Sequence, residues 1–110
     1  MKIIKRDGFL QLPTGTIYCK YQPCVFDSLC VKGETLGNNY WYFSELHGNI
    51  DTGDDNYIEE STYGNLRNDT EELYRDGLCD EEQLFAVYDK DDIIQLIDKL
   101  QECLTLTKTP

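Results

Sequence analysis

The chain has 110 residues, of which 21 are acidic and 10 basic, giving a net charge of −11, with 40% hydrophobic and 12% aromatic residues. That length suits a single domain, and the aromatic share speaks against a disordered chain. So acidic an average surface repels DNA, RNA and anionic lipid, which excludes direct nucleic-acid and membrane binding as expectations and favours a partner with a basic surface.

The N-terminal half reads as strands. The runs GFLQL (8–12) and TIYCKYQ (16–22) flank Pro13-Thr14-Gly15. Pro presets φ for a turn and Gly accepts positive φ, so the two runs are expected to form a hairpin. Alternation sends Ile17, Cys19 and Tyr21 to one face and Thr16, Tyr18 and Lys20 to the other. CVF (24–26) and LCVK (29–32) flank Asp27-Ser28, which reads as a second tight turn. GETLGNN (33–39) reads as a loop by composition. YWYFSEL (40–46) is the most aromatic run and suits a strand with alternate residues in the core; Tyr40 and Tyr42 form the candidate outward contact pair. Several short strands at this spacing predict a small curled antiparallel β-sheet or partly open barrel over residues 1–46.

Residues 47–68 lack a sustained apolar period and read as a long acidic loop, with one short strand around Tyr57 and Ile58. Asp69 has the character of a helix N-cap, with Glu72 at the third helical position, so a short helix is expected over 69–77, stopping at Gly77. QLFAVYD predicts a strand over 83–88. Asp89 then caps a final helix over 90–104, with Asp91 and Asp92 in its first turn. Its residues Ile93, Leu96, Ile97, Leu100, Cys103 and Leu104 form one apolar stripe, expected to pack on the sheet. The expected fold is therefore α+β, one domain spanning 1–110.

Charge is unevenly placed. Residues 1–32 contain Lys2, Lys5, Arg6, Lys20 and Lys32 against Asp7 and Asp27, whereas residues 45–82 contain thirteen acids against Arg67 and Arg75. The densest stretch, Asp51 to Glu60, fails as an EF-hand calcium loop. Gly53 stands at the second ligand position, Asn56 where Gly is required, and Thr62 where Glu is required. Cys19-x4-Cys24-x5-Cys30 lacks zinc-finger spacing. His47 is the sole histidine, and no activating signature accompanies it or any of the five cysteines. Phosphate-cradling glycine motifs are absent from the sequence. The expectation is thus no catalytic residue, no metal and no cofactor. An odd cysteine count, no apolar leader after MKIIKRDG and no apolar run of about 20 residues together predict a cytosolic protein with reduced thiols.

Two segments, LPTGTIYCKYQPCVF (12–26) and RDGLCDEEQLFAVYDKDDIIQLI (75–97), resemble small proteins encoded by tailed phages and prophages. The resemblance covers about a third of the chain and contains no catalytic motif, so it implies a viral genome and a host-cell cytoplasm but no activity. By analogy with accessory proteins of that kind, the leading expectation is protein–protein contact in the host, inhibiting a defence or nucleic-acid-handling complex. The interacting residues would be Asp51, Asp54, Asp55, Glu59, Glu60, Glu71 and Glu72, facing a basic host protein. The alternatives are a protein that sequesters a nucleotide signal, a virion or assembly component, and a hydrolase using a carboxylate-bound metal.

Overall fold

The computed structural model describes residues 1–22, 25–26, 28–37, 39–51, 67–77 and 81–107. The first strand is β1 (Lys2–Lys5), and a five-residue helix, α1 (Arg6–Leu10), follows at once. The run GFLQL is therefore not the first arm of a hairpin. One helical turn puts Arg6 and Phe9, three residues apart, on the same side, and both are buried. The turn that follows is present: the Thr16 amide donates to the Pro13 carbonyl at 3.3 Å, and Gly15 adopts a φ of 100°.

The remaining strands are β2 (Ile17–Gln22), β3 (Val25–Phe26), β4 (Cys30–Leu36), β5 (Tyr40–Glu45), β6 (Asn49–Asp51), β7 (Arg67–Asp69), β8 (Tyr74–Asp76) and β9 (Leu84–Val87). They form a seven-stranded sheet along the path β1-β9-β2-β4-β5-β8, with β3 also beside β2, and a separate β6–β7 ribbon. Neighbouring strands are antiparallel throughout. The expected α+β architecture with a curled, open antiparallel sheet is what the chain adopts. One ion pair makes the curl visible. Lys20 Nζ on β2 lies 2.9 Å from Asp76 Oδ2 on β8, although β4 and β5 lie between those strands. In a flat sheet they would stand about 14 Å apart.

Two bulges shape this sheet. Phe26 pairs with Tyr21, but Cys30 pairs with Tyr18, so the β3–β4 side contains one extra residue. Because β3 and β4 both run antiparallel to β2, the chain does not reverse between Phe26 and Cys30; Asp27 of the expected tight turn lies outside the described residues. On β4, Lys32 opposite Phe43 and Thr35 opposite Trp41 leave Gly33 and Glu34 facing Tyr42 alone. GETL is therefore strand, and the loop begins only at Gly37. The extra residue also returns Thr35 to the face that Lys32 occupies, which a regular strand would not do.

That face forms the core. Phe9, Trp41 and Phe85 are 0% exposed and Tyr18 is 2% exposed. Phe9 on α1 stacks on Phe85 with centroids 4.0 Å apart, and meets Tyr18 at 4.6 Å and Trp41, edge-on, at 5.0 Å. Trp41 Nε1 donates to the Tyr18 hydroxyl at 2.8 Å, so the indole donor is satisfied inside the cluster. Lys32 is buried too. Its ammonium donates to the Leu12 carbonyl (2.9 Å), the Gly33 carbonyl (3.2 Å) and Thr35 Oγ1 (2.7 Å), below the Phe9 ring. Burial lowers its pKa.

The segment 69–77 is not a helix. Asp69 does cap a backbone amide, accepting from Glu71 at 2.8 Å, but a bend follows, and Tyr74-Arg75-Asp76 pair with Phe43, Tyr42 and Trp41 as β8. The cap was legible; the strand won because β5 offers an open edge to pair with.

The last element is α2 (Lys90–Leu106). Asp89 and Asp92 form a reciprocal capping box, each side chain accepting the other's amide at 3.0 Å. The Met1 ammonium sits 2.9 Å from Asp89 and 2.6 Å from Asp92. The helix does not lie on the sheet as its stripe predicts: none of its residues is buried. Only its first turns are partly covered, near Met1 and Tyr88.

Candidate protein-interaction site

Some of the N-terminal cations are drawn inward. Of the five in residues 1–32, Lys32 and Arg6 are buried and Lys20 pairs with Asp76. Arg6 donates to the Asn39 carbonyl at 2.8 Å and contacts the Gly77 carbonyl at 3.4 Å. Lys2 and Lys5 remain exposed, on β1, the sheet edge opposite β8. Three of the five N-terminal cations are thus engaged in the fold and two face solvent.

The acids gather at the other edge. The β6–β7 ribbon pairs Asn49 with Asp69, Ile50 with Asn68 and Asp51 with Arg67. It is anchored to β8 by Asn49 Nδ2, which donates to the Tyr74 hydroxyl at 2.6 Å. Asn68 Nδ2 donates to the His47 carbonyl at 3.0 Å, across Gly48. Gly48 has a φ of 80°, and a Cβ there would collide with the Asn68 side chain, so only glycine lets the turn and the ribbon meet.

Around Tyr74 the field is negative. Loss of water around the phenol, then the charges of Glu72, Glu45 and Asp69, push its pKa above the ordinary value. Glu71 and Glu72 are exposed on the bend just before it. The strand pairing also holds residues 51 and 67, the two ends of the acid-rich segment, side by side. The structure therefore brings Glu45, Asp69, Glu71, Glu72 and the backbone of Asp51 into one region. Asp54, Asp55, Glu59 and Glu60 lie outside the described residues, as does the strand expected around Tyr57 and Ile58. Glu45, Asp69 and Tyr74 were missed as site residues. For Glu45 the signal was an acid two residues from Phe43 on one strand face; for Asp69 and Tyr74 the helix reading of 69–77 hides the strand pairing that brings them in.

Tyr40 and Tyr42 take the outward face of β5, while Trp41 and Phe43 turn inward. Tyr40 is 45% exposed, with the Arg75 guanidinium 5.7 Å from its ring centroid. It lines an open cleft of about 560 Å³ with Arg6, Asp7, Leu10, Asn39, Gly77 and Glu81. A smaller cleft of about 210 Å³ lies over Tyr18, Cys30 and the Lys20–Asp76 pair. Neither gathers positive charge free to hold a phosphate: Arg6 serves two carbonyls and Lys20 a carboxylate.

His47 is exposed and pairs with Glu45 at 2.7 Å. Among the described residues, no group of three or more His, Cys, Asp or Glu side chains converges as a metal site would require. Among them, too, no helix is long and apolar enough to cross a membrane. Compared with family models, curated proteins and solved structures, the chain matches none at a significant level.

Proposed function

We propose that the protein is a phage accessory protein that acts by protein–protein contact in the host cytoplasm. Its acidic region around the β6–β7 ribbon engages a host protein with a basic surface, inhibiting a defence or nucleic-acid-handling complex. One observation carries the reading: Glu45, Asp69, Glu71, Glu72 and the paired residues Asp51 and Arg67 gather beside β8, while Arg6 and Lys32 are buried and Lys20 is paired with Asp76. Such a surface mimics the charge of a nucleic acid and repels nucleic acid itself. Arg6 and Lys32 are bound to carbonyl groups and Lys20 to a carboxylate, which weighs against a nucleotide-sequestering pocket built on them.

The test is affinity capture from host-cell lysate at low salt, with elution at high salt. A charge-driven contact weakens as the screening length falls from about 10 Å at 0.1 M to about 3 Å at 1 M. The wild-type chain retains a basic protein that salt releases. A variant with Asp54, Asp55, Glu59, Glu60, Glu71 and Glu72 changed to Lys retains none of it, with its Trp41 environment unchanged. Retention by that variant would sink the proposal.

A further inference from the structure

Helix α2 offers a second surface of a different kind. Ile93, Ile97, Leu100 and Leu104 recur at steps of four, three and four residues, the a/d spacing of a helix–helix seam. Ile97, Leu100 and Leu104 are 51%, 66% and 65% exposed. A lone helix of 17 residues is marginal in water, and this one has no buried residue to support it. A partner along the stripe would supply what the sheet does not.

The placement of charge says which partner. At 3.6 residues per turn, Asp91, Asp92, Asp98, Lys99 and Glu102 all lie at least about 100° from the centre of the stripe. Only Lys90, the first helical residue, falls near it. The positions flanking the seam are Ile94, Leu96, Gln101 and Cys103, and none carries charge. Two copies of a chain with a net charge of −11 repel each other over most of their surfaces. Along α2 that obstacle is removed. A basic partner, by contrast, would find no carboxylate on the seam to pair with. Anionic lipid meets a polar face with Asp91, Asp92, Asp98 and Glu102 against Lys90 and Lys99, the wrong sign for a membrane-surface helix. Joining the stripes of two copies covers roughly 1,000 Å² in total, at the lower bound for a specific interface.

We infer that α2 is a homodimerisation element: two copies pair α2 against α2 through Ile97, Leu100 and Leu104, with Ile94 and Cys103 beside the seam. The interface is isologous, each helix presenting the same residues to the other. It is separate from the acidic ribbon region and does not depend on the function proposed for that region.

Sedimentation velocity and far-ultraviolet circular dichroism across the micromolar range test it. The wild-type chain passes from monomer to dimer as concentration rises, and its helicity rises with it. Ile97→Glu with Leu100→Glu stays monomeric, its dissociation constant raised at least about 100-fold. The near-ultraviolet signal of Trp41 stays unchanged and reports an intact sheet. Leu100→Ala, which preserves helix propensity, weakens the dimer at least about tenfold. Glu102→Lys, on the opposite face, leaves the dimer in place. A wild-type chain that remains monomeric at high micromolar concentration overturns the inference. So does a dimer that survives both glutamates, or a monomer that binds anionic vesicles through α2.

Discussion

The sheet and α2 place their apolar side chains in opposite ways. On the inner face of the sheet, Tyr18, Trp41 and Phe85 close with Phe9 of α1 until none is more than 2% exposed. In α2, Leu100, Leu104 and Leu106 are at least 65% exposed, and the helix is held at its N-terminal end by a capping box and the Met1 ammonium. The difference separates two tasks. Aromatic burial holds the fold together, whereas aliphatic exposure at the end of the described chain leaves a surface for another molecule. The acidic ribbon belongs with α2 in this respect: it is joined to the sheet by hydrogen bonds such as Asn49 to Tyr74, and none of its described side chains is in the aromatic cluster.

Substitutions should therefore differ in cost by region, and urea denaturation followed by Trp41 or tyrosine fluorescence measures it. The largest effect is expected for Phe85→Ala, about 3–5 kcal/mol, because it removes a ring that stacks on Phe9 at 4.0 Å and meets Trp41 edge-on. Lys32→Met comes next, at about 2–3 kcal/mol. It strips a donor from the Leu12 and Gly33 carbonyls and from Thr35 Oγ1 inside the core. Gly48→Ala is expected to cost about 1–3 kcal/mol, from the positive φ and the clash with Asn68, and to loosen the ribbon before the sheet. At concentrations where the chain is monomeric, Leu100→Glu should change stability by less than about 0.5 kcal/mol, since the side chain is already in water. If Leu100→Glu costs as much as Phe85→Ala, the comparison fails.

The smallest effect is a pH dependence of the α2 anchor. The Met1 ammonium's pKa is raised from 8.0, chiefly by its hydrogen bonds to Asp92 and Asp89. A raised pKa on a base means that its stabilisation is complete below about pH 8 and is lost as pH rises through the folded-state value. The Asp89 carboxyl is lowered from 3.8 to about 2, first by the Asp92 amide and then by the Met1 ammonium. Its stabilisation is present above about pH 4 and is lost as pH falls towards 2. Helicity by circular dichroism should thus hold level between those limits and fall on both sides. Acetylation of the N-terminus should erase the alkaline fall and leave the acidic one.

Much of the architecture was legible because local chemistry and tertiary need agreed. Residues 40–45 alternate inward and outward as their aromatics suggest, 84–87 form a strand, and Asp89 caps the last helix. Errors arose where a distant contact decided. GFLQL has strand-like residues, yet Phe9 reaches the core only from a helical turn. Asp69 has cap chemistry, yet the free edge of β5 takes Tyr74–Asp76 as a strand. The stripe of α2 follows core periodicity, but periodicity reports that a face is apolar and not what covers it. For the candidate site, the acid count showed the sign of the region, and Glu71 and Glu72 lie exposed just before Tyr74. Tyr74 and Glu45 were hidden because the β5–β8 pairing that unites them, Phe43 with Tyr74 and Trp41 with Asp76, joins strands far apart in sequence.

Hydrogen exchange at two protein concentrations tests the division most directly. The account predicts that amides of β2, β5 and β9 exchange slowest and at a rate independent of concentration. Amides beyond Leu96 in α2 should exchange fast in dilute solution and become protected in concentrated solution. An α2 as protected as β9 in dilute solution would show that the helix shares the stability of the sheet, and would contradict the account.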